Sequence, residues 1–151
     1  MAQALGVRLM CAAQAAAEAL FLHEETDDGP VPVPVELHDI EIVELAPHEL
    51  ADYISLAVSL DDGEAATLAL ARSRGWPVVT DDRKAIRIAG SLRPAVRILD
   101  TPALLKLLAR ALRLDDAAIA NTLRMVEERA SFVPSRSSPD AEWWSQHREP
   151  R

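Results

Sequence analysis

Residues 60–89 read LDDGEAATLALARSRGWPVVTDDRKAIRIA, and this stretch allows the clearest prediction of the fold. An acidic turn opens a predicted helix from about Glu64 to Arg74, and Gly75 ends it, as glycine commonly does at a helix C-terminus. A short apolar strand follows at 77–80, and a second acidic pair begins the next predicted helix. The stretch therefore predicts a helix–strand–helix unit with carboxylates at both helix starts.

The same alternation of strands and helices extends over most of the chain. Strands that alternate with helices imply right-handed crossovers and a parallel sheet, so we predict an α/β fold with a mostly parallel sheet. Residues 24–35 contain Gly29 and three prolines and are predicted to be a loop. The other predicted strands lie at 6–11, 40–45 and 95–99, and the other predicted helices lie at 12–23, 48–60, 82–92 and 115–130, with one more beginning at Thr101, its expected N-cap.

Length and composition favour one domain in a reducing compartment. The chain has 151 residues, which suits a single domain, and we predict that residues 1–130 form it and that 131–151 are a polar C-terminal tail. Cys11 is the one cysteine, so no internal disulfide forms, which fits a cytoplasmic location. No run of residues has the length and purity of a membrane span, so no membrane partner is expected. The net charge of −8 argues against a protein that coats nucleic acid through charge alone.

Several carboxylates are expected where an α/β protein binds its ligand. Ligands of such sheets bind outside the carboxyl ends of the strands, and Asp81 and Asp82 directly follow the strand at 77–80. Glu64 starts one helix, and Glu18 lies among alanines and leucines on another. Carboxylate oxygens suit a hard cation such as Mg²⁺. A bound cation would polarise a phosphodiester and activate a water, whose proton a neighbouring carboxylate could accept.

Each acidic position also has a purely structural interpretation. Asp61 and Glu64 have the spacing of a capping box, in which side chains only satisfy backbone N–H groups. Asp81 or Asp82 could likewise be an N-cap that the helix dipole stabilises. Glu18 has little obvious solvent face, so its carboxylate must be paired or lie at a polar cleft.

Basic and aromatic residues near the C-terminal half allow two interpretations as well. Arg83, Lys84 and Arg87 follow the second acidic pair on one helix, where they could steer a phosphate backbone or form a solvated face. Trp143 and Trp144 could stack a base, although anchoring of the tail to the domain is the more common role of such a pair.

The quoted stretch, together with residues 6–18, resembles the PIN-domain family, which includes the ribonuclease toxins of bacterial toxin–antitoxin pairs. The likeness covers roughly residues 5–108. It implies a three-layer α/β/α sandwich with a mostly parallel sheet, and a nuclease that cleaves RNA with Mg²⁺ or Mn²⁺. It also implies an antitoxin protein and a second copy of the chain as possible partners, in the cytoplasm.

The resemblance carries the acidic positions of the family over residue by residue. Glu18 matches the second acidic position, Glu64 the third with Asp62 as a nearby substitute, and Asp82 the fourth with Asp81 beside it. The resemblance thus implies that Glu18, Glu64 and Asp82 are catalytic and that all five carboxylates are candidate metal ligands. The first acidic position, an Asp at the end of the family's first strand, has no match in this chain.

The missing first strand has a physical consequence, because that strand is central in the family's sheet. The strands at 7–11 and 77–80 lose their shared partner, and unpaired backbone groups inside a protein are costly. Three explanations are open: a start codon further upstream, a strand donated by a partner chain, or closure of the two flanking strands in an inactive, degenerate fold. We favour the first, which predicts a poorly stable and catalytically weak chain.

These observations leave three functional hypotheses. The first is a metal-dependent ribonuclease of PIN type, active once the first strand and its Asp are restored, and possibly a toxin of a toxin–antitoxin pair. The alternative is a truncated or degenerate PIN-like module that binds or interacts without catalysis. A receiver-like domain with a phosphorylation pocket at Asp81 and Asp82 is disfavoured, because the strand at 95–99 leads to Asp100-Thr101-Pro102 without the lysine such a pocket needs.

Overall fold

The computed structural model describes residues 6–18, 21–26, 29–34 and 40–148. The chain is an α/β protein that divides into two compact units. We call them the site unit and the helical unit. The site unit consists of Arg8–Leu22 and Pro32–Leu99, and the helical unit of Met1–Val7, His23–Val31 and Asp100–Arg151.

The strands in the described part of the chain are short and pair only two by two. They are β1 (Leu9–Ala12), β2 (Phe21–Thr26), β3 (Gly29–Pro34), β4 (Ile40–Val43), β5 (Val78–Val79) and β6 (Ile98–Leu99). In β1 and β4, which run parallel, Leu9 lies opposite Ile40. In β5 and β6, also parallel, Val78 lies opposite Ile98. The strands β2 and β3 pair with each other.

Helices make up most of the remaining described structure. A 3₁₀ turn at Pro47–Glu49 precedes the second of them. No helix within residues 6–18 and 40–148 is long and apolar enough to cross a membrane. The helices are α1 (Ala13–Glu18), α2 (Leu50–Ala57), α3 (Asp62–Arg74), α4 (Arg83–Ser91), α5 (Thr101–Leu112), α6 (Asp116–Ala130) and α7 (Ala141–His147).

The two parallel pairs confirm the predicted α/β class, but no described strand joins them into one sheet. Both β1 and β5 pack against α3. The N–H of Val78 donates to the carbonyl of Arg97, just before β6, at 2.9 Å, and the N–H of Thr80 donates to that of Leu99 at 3.0 Å. Because successive N–H groups of a strand point to opposite sides, that of Val79 is directed away from β6. No described strand pairs with that edge of β5.

Helix caps set the start of four helices, in good agreement with the sequence. Asp61, Asp82 and Asp115 each accept the backbone N–H three residues later. Gly75 ends α3 in the left-handed conformation, at φ 67°. The expected N-cap Thr101 was wrong, because Asp100 accepts the N–H of Ala103 at 3.0 Å and Thr101 is already helical.

Residues 21–34 differ most from the prediction. The expected helix at 12–23 ends at Glu18. β2 begins at Phe21, within the range of that expected helix, and the rest of β2 lies with β3 in the expected loop at 24–35. The prolines that suggested a loop stand at every second position of β3. The residues between them keep their N–H groups for one neighbouring strand, which is the arrangement that an edge strand tolerates.

The core of the site unit is built around α3, which is buried along most of its length. Ala65, Ala66, Leu68 and Ala69 are at most 1% exposed. Small alanine side chains let neighbouring backbones come close, and α1 and α2 both pack on this helix. The helix α3 therefore places the residues at its N-terminus in a fixed relation to α1 and β5.

The helical unit has its own core around Trp144. This side chain is 2% exposed and packs with Leu123 and, edge to face at 5.7 Å, with Phe132. Its indole N–H donates to Glu127 at 2.9 Å. The tryptophan anchor expected in the tail is therefore confirmed, within a helix, α7. The domain boundary at residue 130 stays a prediction.

Candidate active site

A pocket of about 170 Å³ lies in the site unit, where the start of α3 meets the end of α1, β5 and the first turn of α4. Its floor is apolar and includes Leu68 and Val78. Two carboxylates predicted for the site, Glu18 and Glu64, both line it. Its remaining polar lining is Asp61, Gly63, Thr67 and Thr80. The pocket therefore combines an acidic rim with the exposed edge of a parallel strand.

Glu18 reaches the pocket from the last residue of α1. Its Oε1 accepts the N–H of Gly63 at 3.1 Å, so the carboxylate lies at the positive end of α3. A Cβ on Gly63 would lie 2.9 Å from the Cα of Ala15 and 2.7 Å from the Oε2 of Glu18. Glycine is therefore the residue that allows α1 to approach this closely. Glu18 thus lies at the pocket and accepts a backbone N–H, but its side chain is exposed, so the expectation that it has little solvent face was wrong.

Glu64, in the first turn of α3, is half-buried and also lines the pocket. Burial raises the pKa of its carboxyl, and the negative charges of Asp61 and Asp82 raise that pKa further. Lys84 acts in the opposite direction and lowers the pKa of Glu64. The helices α3 and α4, which begin at the two predicted acidic pairs, also contact each other.

The capping interpretation of the acidic residues is also confirmed. The carboxylate of Asp61 accepts the N–H of Glu64 at 2.8 Å, and that of Asp82 accepts the N–H of Ala85 at 2.7 Å. Asp61 lines the pocket while it caps α3, whereas Asp82 is exposed and acts on the pocket from outside its lining. Capping and a contribution to the acidic site are thus compatible in these residues.

Asp62 and Asp81, two further candidate ligands, do not belong to the pocket lining. Asp62 accepts the hydroxyl of Tyr53 at 3.1 Å. That hydrogen bond, burial, and the charges of Asp62 and Glu18 raise the pKa of Tyr53. Asp81 is exposed beside Asp82. The five predicted ligands therefore divide into Glu18 and Glu64, which line the pocket, Asp82, which acts on Glu64 through its charge, and Asp62 and Asp81, which do not line it.

The donor set suits a hard cation but is not a complete cage. Glu18 and Glu64 supply the carboxylate oxygens that Mg²⁺ and Mn²⁺ prefer, and Mg²⁺ commonly takes only one or two carboxylates beside water and phosphate oxygens. Within the described residues, no group of three or more His, Cys, Asp or Glu side chains is arranged to hold a metal ion. Glu18 and Glu64 are therefore the two predicted ligands that could contribute oxygens to a cation at this pocket.

One buried carboxylate was missed from the sequence. Glu49 is 1% exposed and receives two hydrogen bonds from Arg74, at 2.7 and 2.8 Å, and one from the N–H of Ala46 at 2.8 Å. Mainly the bonds from Arg74 lower the pKa of Glu49 to about 2. The guanidinium also stacks over Trp76 at 5.0 Å. No local pattern links Glu49 to an arginine on a different helix, so sequence periodicity could not find this pair.

Comparison with known proteins finds no relative for this arrangement. No protein-family model, no curated protein and no solved structure matches the chain. The resemblance to the PIN-domain family therefore remains a prediction, which depends on the order and spacing of the residues at 6–18 and 60–89.

Proposed function

We propose that the chain is a metal-dependent ribonuclease of PIN type, a hydrolase of RNA phosphodiester bonds. The observation that carries the proposal is the convergence of Glu18 and Glu64, which are remote in sequence, on one pocket that Asp82 influences through its charge. Two parallel strand pairs that both pack on α3 also suit a three-layer PIN-like sandwich whose central strand lies between them.

In this proposal Glu18 and Glu64 hold the Mg²⁺ or Mn²⁺ ion. The bound ion would polarise the phosphodiester and lower the pKa of an attacking water. Burial and the charges of Asp61 and Asp82 raise the pKa of Glu64, and a bound cation would offset that repulsion between carboxylates. Apolar residues of the same lining, Leu68 and Val78, lower the local polarity around the half-buried Glu64, which would strengthen its interaction with a cation.

RNA would approach over the first turn of α4. Lys84 is near enough to the pocket to lower the pKa of Glu64, and Arg83 and Arg87 lie on the same helix and are exposed. In a chain with a net charge of −8, contacts to phosphate depend on these few cations and on the bound metal rather than on a broad basic surface. An antitoxin partner, a toxin role and a cytoplasmic location belong to the same proposal through the resemblance.

Binding of Mn²⁺ and cleavage of RNA test the proposal directly. We expect Mn²⁺ to raise the melting temperature of the chain and to support cleavage of single-stranded RNA. Glu64→Gln should abolish both effects, and Asp82→Asn should weaken them. Asp116→Asn, which changes an acidic first-turn residue of α6 in the helical unit, serves as the matched control and should change neither. Absence of any Mn²⁺ effect on the unaltered chain would contradict the proposal.

The second candidate is a PIN-like module that binds or interacts without catalysis. Two observations favour it: the described residues hold no three-member metal group, and no described strand joins the two parallel pairs. A version with an added apolar strand that ends in Asp, placed before Met1, separates the candidates. For the ribonuclease, the addition should raise both the melting temperature and the rate of RNA cleavage. For the module, it leaves RNA uncleaved. Equal stability with and without the strand would contradict the idea of a missing sheet partner.

A further inference from the structure

Residues 83–99 carry a large share of the positive charge of the chain. They include five of the 16 Lys and Arg residues and no Asp or Glu, although the whole chain has 24 acidic residues. All five cations are exposed, and they are Arg83, Lys84, Arg87, Arg93 and Arg97. This stretch of the site unit is therefore basic in a chain whose net charge is −8, and its local potential attracts anions.

Two of the arginines lie in a row along the exposed face of α4. Arg83, Arg87 and Gly90 are spaced by four and then three residues, so they share one face of the helix. The opposite face carries Ala85 and Ala89, which are 2% and 0% exposed and pack into the core. A Cβ on Gly90 would meet no atom within 4 Å, so no neighbouring element crowds the helix at this point. The row therefore combines charged side chains with open helix surface.

Arg93 extends this row beyond the end of α4. Its Nη1 donates to the carbonyl of Gly90 at 3.2 Å and to that of Leu92 at 2.7 Å, so the guanidinium lies at the C-terminal end of the helix. The Nε and Nη2 groups remain as donors for a further acceptor. At a rise of about 1.5 Å per residue, the row from Arg83 to Arg93 is about 15 Å long. Its arginines can therefore contact successive anionic groups of one extended ligand.

Carboxylates of the chain leave these cations available. Within the described residues, no carboxylate forms an ion pair with Lys84, Arg87 or Arg93, whereas Arg74 of the same unit is held by Glu49. A guanidinium without a carboxylate partner can bind two phosphate oxygens in a bidentate contact. The chemistry of the row therefore suits phosphate groups.

The row begins at the pocket and leads away from it. The helix α4 follows the carboxyl end of β5, and its first-turn residue Ala85 lines the pocket. Because β5 and β6 are parallel, α4 must carry the chain back toward the amino ends of both strands. Arg83 and Lys84 therefore lie at the pocket end of the row, and Arg93 lies at the far end.

We propose that Arg83, Lys84, Arg87 and Arg93, called here the α4 tract, hold the phosphate backbone of single-stranded RNA on one side of the bond that is cut at the pocket. This inference rests on the proposed function and names a path for its substrate. The backbone of a single strand is one line of phosphates, which matches one row of cations. Contacts to phosphate position a strand without reading its bases, so the tract binds RNA of any sequence.

Binding without metal tests the tract apart from catalysis. In EDTA, the fluorescence anisotropy of a labelled single-stranded oligouridine gives the association constant of the full chain at several salt concentrations. If every cation of the tract contacts phosphate, the logarithm of this constant should fall against the logarithm of salt concentration with a slope of about −3. Arg87→Gln should make the slope shallower by about 0.7 and weaken binding about fivefold at ~0.1 M salt. Arg87→Lys keeps the charge and should restore the slope.

A substitution in the helical unit provides the matched control. Arg110 is exposed in the last turn of α5, and Arg110→Gln changes the net charge by the same amount as Arg87→Gln. This control should leave the slope unchanged, whereas Arg93→Gln should make it shallower. Melting temperatures check the folding of each variant, and Arg87→Gln should melt with the unaltered chain because its side chain is exposed. Equal slopes for Arg87→Gln and the unaltered chain, an equal change in Arg110→Gln, or no RNA binding at low salt would overturn the proposal.

Cleavage of the same RNA in Mn²⁺ separates this inference from the proposed function. A chain that cleaves RNA, but whose salt dependence does not change in Arg87→Gln, is a ribonuclease without the α4 tract. A chain that does not cleave, but whose salt dependence changes in Arg87→Gln and Arg93→Gln, binds RNA on the tract while the ribonuclease function fails. The two failures therefore give different results.

Discussion

Two glutamates of the site unit have pKa shifts in opposite directions, because their surroundings differ. Glu49 is enclosed, bound by the guanidinium of Arg74, and has its pKa lowered to about 2. Glu64 is half-buried beside Asp61 and Asp82, and its pKa is raised. A carboxylate whose charge the fold fully compensates stabilises structure, whereas one whose charge is opposed by its neighbours is available to a cation. Burial alone does not explain the opposite directions of the two pKa shifts, since both carboxyls are removed from water to some degree.

The largest expected effect comes from the compensated carboxylate. Glu49→Gln leaves the charge of Arg74 without its partner, so the free energy of unfolding should fall by about 3–5 kcal/mol. Urea unfolding of the two proteins at neutral pH measures the difference. Glu64→Gln is the matched control and should change the free energy of unfolding by no more than about 0.5 kcal/mol. A loss of under ~1 kcal/mol for Glu49→Gln would show that the pair is not structural.

The pH dependence of the same pair of variants sharpens the contrast. Because the pKa of Glu49 is lowered in the fold, its stabilisation is fully present above its ordinary pKa of 4.5 and is lost as the pH falls toward 2. The stability gap between the unaltered chain and Glu49→Gln should therefore narrow between pH 4.5 and about 2. A gap that stays constant over this window would contradict the ion pair.

A second, smaller effect is expected from substitution of Gly63, the residue that donates to Glu18. Gly63→Ala would bring a Cβ within 2.9 Å of the Cα of Ala15, so α1 must move away from α3. Overpacking of this kind costs about 1–3 kcal/mol, and displacement of Glu18 should also weaken the Mn²⁺ effect on the melting temperature. Calorimetry with and without Mn²⁺ measures both.

Gly90 provides the control for that substitution. It lies within α4, and a Cβ at this position would meet no atom within 4 Å. Gly90→Ala should therefore be neutral or stabilise the protein by up to about 1 kcal/mol through helix propensity. Equal destabilisation by the two substitutions would mean that the close approach of α1 does not matter.

Glu64 should show a pH dependence opposite in sign to that of Glu49. Its pKa is raised in the fold, so the protonated form is favoured, and stability is lost as the pH rises above the ordinary value of 4.5. Glu64→Gln should therefore gain stability relative to the unaltered chain as the pH increases through that region. Thermal unfolding between pH 4 and pH 8 in low salt checks the direction. If Glu64→Gln instead lost stability relative to the unaltered chain as the pH rises, the cation-free pocket would not disfavour the charged form of Glu64.

The smallest effect concerns Tyr53. Tyr53→Phe removes the hydrogen bond to Asp62, and an exposed bond of this type contributes about 0.5–1 kcal/mol. Since Asp62 does not line the pocket, the response of the melting temperature to Mn²⁺ should stay the same. A changed Mn²⁺ response would place Asp62 among the cation ligands.

Local signals in the sequence were sufficient for much of the site unit. Helices start at Asp61 and Asp82 and one ends at Gly75, as capping preferences predict. These caps are predictable because each interaction is made within a few residues. The pairing of β2 with β3 was missed because proline at alternate positions has the same local signature as a loop. The cap at Asp100 was missed because Thr101 and Asp100 are both good N-caps, and only the backbone geometry selects between them.

The candidate site depends on long-range contacts, and those were only partly predictable. The meeting of Glu18 with the start of α3 was expected from the resemblance to the PIN-domain family and not from periodicity. The hydrogen bond from Tyr53 to Asp62 joins residues on different elements, and so does the pair of Glu49 with Arg74. No spacing rule along the chain encodes such partners, since packing decides which side chains meet.

The hydrogen bond from Gly63 to Glu18 has a consequence for how this chain can vary. Its donor is the backbone N–H of Gly63, so any residue except proline at position 63 would keep the donor. Glycine is needed there only because a side chain would lack room. The acceptor, by contrast, can be exchanged for a glutamine that still accepts the bond while losing its charge. Glu18→Gln would thus remove a negative charge from the pocket while the contact between the two helices stays closed.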